Sequence, residues 1–283
     1  MGSMKEIDEV SSPPWVDSMN GYLKPYWDEL LNSEWAKSVG SGTMSVPEMQ
    51  GWILQVYPFI HAFPKFLAEA LIKVEDDHSR SFLIDNIRVE KTHAEHWIWM
   101  GVGFGLKRED MLDVAEGSRP VLRDVQSLTD WLWFINTKGS LAEAVAATSF
   151  AIEGITGDLA RNVVAGFESY RGKPGVDMNP RTYKWMKEHA LYDDEHPKIA
   201  MEIVKQYATT EKSQMRVMMA AKRSLQLLNQ ALHTAFKAYT PAEPADEVTA
   251  NMRASDRRDA EMAVAFPERR FADRRGRKNR AFA

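Results

Sequence analysis

Three short stretches of this chain set carboxylates and imidazoles into otherwise apolar sequence with helical spacing. Glu90-Lys91-Thr92-His93 lies between Ile84-Asp85-Asn86-Ile87 and Trp97-Ile98-Trp99-Met100. Residues three apart share a helix face, so Glu90 and His93 can point at one ion. Glu153 stands inside the run Ala146 to Ile155, where a side chain should face inward. Burying that carboxylate unpaired costs several kcal/mol, so it requires a partner. His189, Asp193 and His196 follow at i, i+4 and i+7 on a single face, with Asp194 and Glu195 rotated away from it. Three carboxylates and three imidazoles suit two borderline ions better than one. Iron and manganese accept this mixture and carboxylates can bridge them, whereas zinc usually takes a smaller tetrahedral set. The bland alternative is a buried salt-bridge network.

Other residues compete for the same roles. Glu75-Asp76-Asp77-His78 also has the Glu-x-x-His spacing, but it lies at an expected turn among polar neighbours and reads as a solvated loop. His96 follows His93 by three residues and is expected beside the ligands or in a cavity wall. Phe59, Trp97, Met100 and Phe150, with Trp131 and Trp133, could line an apolar substrate channel; equally, they could be core. The chain has no cysteine, which excludes disulfides, thiolate metal sites and cysteine nucleophiles and leaves nitrogen and oxygen ligands.

Helices must position these groups, and nearly every segment has helical spacing. The pattern predicts helices over residues 15–36 and from Ser45-Val46-Pro47-Glu48, a capping box, to about Val74, bent by Pro58 and Pro64. Further helices are expected over 82–104, 108–115, from Pro120 to Lys138, from Ser140 through about Tyr170, from Asn179 to Tyr207, and over 212–239. With 283 residues, 44 % apolar and 27 % charged, the chain can bury one sizeable core. The formal net charge of −4 does not point to nucleic acid. The longest apolar run, Val145 to Ile155, is too short to span a bilayer. Residues 1–14 read as a tag scar and flexible start, 15–239 as the helical domain, and 240–283 as a linker and Arg-rich, disordered tail. A soluble, cytoplasmic protein is expected.

At Asp85–Trp97, Ala147–Gly157 and Lys184–Pro197 the sequence resembles the haem-oxygenase-like diiron oxidases and oxygenases. Within them it is most similar to the UndA-like medium-chain fatty-acid decarboxylases, over roughly residues 20–235. Ala62-Phe63-Pro64-Lys65-Phe66-Leu67 separately resembles the self-sacrificing p-aminobenzoate synthases of the same superfamily. The resemblance implies an all-α, seven-helix haem-oxygenase-like (TenA/PqqC-like) bundle without haem. It implies iron ligation by Glu90, His93, Glu153, His189, Asp193 and His196. Two departures stand out. Where decarboxylases carry a further glutamate ligand this chain has His61, and where the synthases carry a donor tyrosine and a lysine it has Ala36 and Val163.

The expected activity is therefore that of a non-haem enzyme using two Fe(II), or manganese, with O2 as co-substrate and an external electron donor. Its substrate would be a small carboxylate such as a medium-chain fatty acid, decarboxylated to a terminal alkene. Alternatives are N-oxygenation or C–C cleavage of an amino acid or amine, a p-aminobenzoate-synthase-like reaction, and a non-enzymatic binding or regulatory protein. A homodimer is expected.

Overall fold

Short polar side chains set where the helices begin. The computed structural model describes residues 13–191 and 196–239, all within one compact unit. Residues 1–12 of the expected flexible start, Asp193 and the expected basic tail from residue 240 lie outside the described residues. Every regular element among those described is helical, and none of these helices is long and apolar enough to cross a membrane.

The first expected helix is two. α1 (Pro14–Leu31) stops, and Ser33 accepts from the Ala36 amide to start α2 (Glu34–Gly40). A serine oxygen satisfying an orphan amide is worth about 1 kcal/mol, enough to favour a break there. α3 (Val46–Leu71) begins at the expected capping box of Ser45 and Glu48 and continues through both Pro58 and Pro64. α4 (Asp77–Gly103) starts five residues before its expected position, because Asp76 caps it by accepting from the Ser79 amide at 2.8 Å. Tyr207 donates to the same carboxylate at 2.6 Å. These hydrogen bonds, the Ser79 amide's first, hold the Asp76 carboxyl well below the usual range.

α5 (Arg108–Ala115) and α6 (Arg123–Lys138) follow. The Lys73 ammonium donates to the carbonyls of Asn136 and of Gly139, the latter at 2.8 Å, closing the C-terminal end of α6. The helix expected from Ser140 through Tyr170 is unbroken but changes type along its length. α7 (Leu141–Val145) passes into a π-helical segment, Ala146–Glu153, then α8 (Gly154–Val164), then a 3₁₀ turn, Ala165–Tyr170. α9 (Lys184–Leu191) begins later than the expected Asn179, after a series of turns. α10 (His196–Tyr207) follows, with Pro197 directly after His196. α11 (Glu211–Lys237) completes the bundle.

α3 packs along α4, α11 runs against α6, α3, α1 and the π segment, and α8 lies on α9. These pairings bring α4, the π segment, α9 and α10 around one interior. α2 closes its far end by a tight crossing on the 3₁₀ turn. A Cβ on Gly166 would sit 1.8 Å from the Val39 carbonyl oxygen. Gly166→Ala must therefore push α2 outward, at a cost of about 1–3 kcal/mol or more. A drop in thermal midpoint for that variant, with Gly21→Ala as an unhindered control, checks the crossing.

Candidate metal centre

Two carboxylates from different helices share a buried pocket. Glu90 on α4 and Glu153 at the end of the π segment are 8 % and 7 % exposed. His93, one turn beyond Glu90, places Nδ1 3.0 Å from Glu90 Oε1. His189 of α9 stands against His93 with ring centroids 4.3 Å apart. Ligand atoms of Glu90, His93 and His189 all lie within 4.8 Å of one another, a spacing that can hold a metal ion. His196, the first residue of α10, puts Nδ1 3.3 Å from Glu153 Oε2. The structure thus brings together five of the six residues expected as ligands, and Asp193 lies outside the described residues.

The electrostatics of this cluster are those of a site short of positive charge. Burial pushes the Glu153 carboxyl up to about 7, against the hydrogen bond to His196, with the Glu90 charge pushing it further up. For Glu90, burial also raises the value. The hydrogen bond from His93 and the charges of His93, His189 and His196 outweigh it and hold Glu90 below the usual range. His93 is the counterpart. Burial disfavours its imidazolium, but Glu90, by hydrogen bond and by charge, and then Glu188 and Glu153 raise it. Among the described residues no lysine or arginine ion-pairs with Glu90 or Glu153. Two buried carboxylates compensated only by imidazoles fit a divalent cation, so the donor set passes the test of its chemistry.

Three neighbours of the ligand set escape a reading by motif. Asn86, fully buried on α4, donates through Nδ2 to both Glu153 oxygens, at 2.9 and 3.1 Å. Its Oδ1 has no hydrogen-bond partner among the described residues. Glu188 precedes His189 and brings Oε2 to 2.6 Å from His96 Nδ1, without hydrogen-bond angles, and to 4.0 Å from His93 Nε2. Trp185 lies one turn before His189, stacked on it at 4.0 Å, and its carbonyl oxygen is 2.8 Å from His189 Nδ1. Helical spacing from the ligands gives a sequence signal for two of them, Asn86 four residues before Glu90 and Trp185 four before His189, and for Glu188, directly before His189, gives none.

A cavity of ≈ 70 Å³ opens from Glu90, Glu153 and His189 between α2, α3, α4, α8, α9 and α11. Phe59 and Trp97 line it as expected of channel residues, together with Trp35, Trp52, Phe63 and Trp185. Met100, Phe150 and His96 are not among its walls. Met100 is sealed in the core. Phe150 turns to Trp27 of α1, ring centroids 5.5 Å apart. Three residues before Glu153, it would share that residue's face in an α-helix, but the wider π turn separates them. His96 faces Glu188 and Trp99 instead.

His61 is placed elsewhere as well. On α3 the cavity takes Trp52, Val56, Phe59, Ile60 and Phe63. His61 sits on another face, with Tyr57 Oη 3.3 Å from its Nδ1. Burial, then the Lys65 charge, lowers its imidazolium, with Glu116 opposing; none of the clustered acids acts on it. His78 of the competing Glu-x-x-His is exposed and 3.8 Å from Glu202.

Known proteins share both sequence and architecture with this chain. A 4-aminobenzoate synthase from Chlamydia muridarum (strain MoPn / Nigg) is 27 % identical over 202 residues, covering 69 % of this chain and 79 % of that protein. The 4-aminobenzoate synthase of Chlamydia trachomatis serovar D is 28 % identical over 167 residues, 58 % of this chain and 66 % of the other. A TenA homologue from Pseudomonas syringae pv. tomato superposes with a TM-score of 0.72 at 26 % identity, over 84 % of this chain and 98 % of its own. A domain of unknown function with a haem-oxygenase-like fold from Shewanella denitrificans superposes at 0.65 with 19 % identity, over 82 % and 97 %. Residues 50–229, which carry Glu90, Glu153 and the histidines of α4, α9 and α10, match the family described as iron-containing redox enzymes; the chain belongs to that haem-oxygenase-like family.

Proposed function

We propose that the chain is a non-haem diiron oxidase or oxygenase that acts with O2 on a small substrate having an apolar body and one carboxylate. The carrying observation is the pair of buried carboxylates, Glu90 and Glu153, set among three imidazoles with no lysine or arginine ion-paired to them among the described residues. Glu90, His93, Glu153, His189 and His196 would hold the metals, and Asp193 is proposed as the sixth ligand from its spacing. Bound iron would supply the electrons that reduce O2 and a Lewis-acidic seat for an anionic group.

The remaining work falls to the chain's own residues. Asn86 fixes the Glu153 carboxylate by both oxygens. The indoles and aliphatic side chains around the cavity exclude water. Among the described residues no lysine, arginine or tyrosine lines the cavity, so a substrate carboxylate would find its counter-charge at the metal end. The apolar walls take the rest, which favours a fatty acid over an amino acid or amine. A UndA-like decarboxylation of a medium-chain fatty acid is the version these walls support best.

The test is an anaerobic Fe(II) titration of the metal-free protein, followed by rapid mixing with O2 and a screen of O2 consumption with medium-chain fatty acids, amino acids and amines. Two irons per chain with fatty-acid-dependent O2 uptake and an alkene product are expected. One iron or none would remove the diiron reading; stimulation by amines alone would remove the fatty-acid substrate.

The similarity to 4-aminobenzoate synthases favours a second reading, in which the chain makes an aminobenzoate. A sacrificed tyrosine would have to reach the centre. Tyr57 is buried, pushed up to about 12 by that burial, and engaged with His61 away from the cavity; Lys65 is exposed. Formation of 4-aminobenzoate by the iron-loaded protein in the absence of any added substrate would establish this reading over the first.

Asn86 yields a separate expectation. Asn86→Leu keeps the volume and removes both donors to Glu153. Loss of such a supporting hydrogen bond typically costs about 10–100-fold in metal affinity. Competition titration with a chromophoric chelator reads the change directly, and unchanged affinity would mean that Asn86 plays no part in holding the ligand.

A further inference from the structure

Four buried tryptophans stand in an unbroken file from His189 to α2. Trp185 stacks on His189 at 4.0 Å between ring centroids and 27° between planes. Trp97 follows at 4.8 Å from Trp185, Trp52 at 5.2 Å from Trp97, and Trp35 at 5.3 Å from Trp52. None is more than 8 % exposed. The last of them, Trp35, is on α2, itself 3 % exposed between the exposed Glu34 and Lys37.

Aromatic clusters commonly serve packing alone, and this protein has others, such as Phe104, Phe167 and Tyr170. The indole file differs in two respects. It terminates on an imidazole of the metal centre, and it consists of the aromatic ring most readily oxidised by one electron. We propose that Trp185, Trp97, Trp52 and Trp35 form a one-electron relay serving that centre, an inference that rests on the iron reading above.

The step balances without moving an atom. One electron leaves the Trp185 ring for the oxidant produced when O2 is reduced at the ferrous site. Trp185 is oxidised by one electron and the oxidant reduced by one. Trp97 then refills Trp185, Trp52 refills Trp97 and Trp35 refills Trp52. A small external one-electron reductant of the ascorbate type restores Trp35. Protons stay in place. The indole nitrogens of Trp35, Trp52 and Trp185 have no hydrogen-bond partner among the described residues. That of Trp97 donates to the Ile53 carbonyl oxygen at 2.9 Å, which is not a base. The oxidised rings are therefore indole radical cations rather than neutral radicals.

The experiment mixes the full chain, loaded anaerobically with Fe(II), with O2 in the absence of substrate. Absorption is followed by stopped flow, and freeze-quenched samples are examined by electron paramagnetic resonance. The expected result is an organic radical that rises as iron is oxidised and shows the longer-wavelength band of the radical cation. Its hyperfine pattern should change when the protein is grown on ring-deuterated tryptophan, and ascorbate should quench it. Trp185→Phe should lose the signal, and Trp185→Tyr should convert it to a tyrosyl type; iron content per chain confirms that each variant still forms the centre. Iron oxidation without an indole radical in the wild type, or an unchanged radical in Trp185→Phe, overturns the relay while leaving the iron reading intact. A chain that binds no iron overturns both.

Discussion

Replacing Glu153 with glutamine is expected to stabilise the metal-free protein at pH 8 and to remove most of its affinity for Fe(II). The two effects have one origin. Burial raises the Glu153 carboxyl from its ordinary value to about 7, so its ionised form is disfavoured in the folded state. For an acid raised on folding, the native state binds the proton more tightly than the unfolded chain. Stability then falls as pH rises between the unfolded value, near 4.5, and about 7. Above that window the full penalty applies, on the order of 2–3 kcal/mol for a shift of this size. Glutamine has nearly the same shape, keeps an oxygen for the Asn86 amide, and carries no charge.

The melting-temperature gap between Glu153→Gln and wild type should therefore be widest near pH 8 and close as the pH falls toward 4.5. There the wild-type carboxyl takes up its proton and becomes the amide's neutral counterpart. Anaerobic Fe(II) should reverse the order. Wild type gains RT ln(1 + [L]/Kd), about 2.7 kcal/mol at a hundred times Kd, whereas the variant has lost an anionic ligand and gains little. Calorimetric melts across pH, with and without Fe(II), decide it. A metal-free variant less stable than wild type at pH 8 would show that Glu153 belongs to a favourable salt-bridge network instead of a vacancy for cations.

The same residue shows why part of the centre was legible in the sequence and part was not. Glu90 and His93 are readable because i, i+3 spacing is a property of any α-helix. Glu153 is readable because a carboxylate amid alanines, phenylalanine and isoleucines cannot be left unpaired. Residue types do not announce the π turn that carries Glu153, because its extra residue per turn reflects packing against α10 and α11 rather than local preference. The misplacement of Phe150 follows from that alone.

The all-α bundle followed from capping boxes and apolar spacing, and the helix starts at Ser45 and Ser140 are where such boxes put them. The start of α4 was hidden because Asp77 to Ser81 is polar and shows no apolar stripe, and because Asp76, its cap, also accepts from Tyr207, 131 residues away. His61 illustrates the opposite limit. Alignment fixes a position along α3, but a one-residue difference rotates a side chain about 100° around a helix, from the cavity face of Ile60 to the face shared with Tyr57. Asn86 and Glu188 act through groups they meet from other helices, which spacing along one helix cannot reveal.

Trp97→Ala should be the most destabilising single change in the cavity wall. Trp97 is 1 % exposed, lies between Trp52 and Trp185, and anchors α4 to α3 by donating to the Ile53 carbonyl oxygen at 2.9 Å. Removing a fully buried indole costs about 3–5 kcal/mol in lost transfer energy and residual cavity. For a domain of this size that is a fall in melting temperature of about 10 °C. Trp97→Phe retains most of the buried area and should lose much less. The void left by alanine adjoins the existing cavity and has apolar walls, so free indole can occupy it as small aromatics occupy engineered apolar cavities. Millimolar indole should then raise the melting temperature of Trp97→Ala and leave that of wild type unchanged. If alanine lowers stability without rescue by indole, neighbouring side chains have collapsed into the space, and the wall between α3, α4 and α9 is pliable. Rescue would mean that the wall is rigid, and that cavity shape, set by the indoles, governs what can approach Glu90, Glu153 and His189.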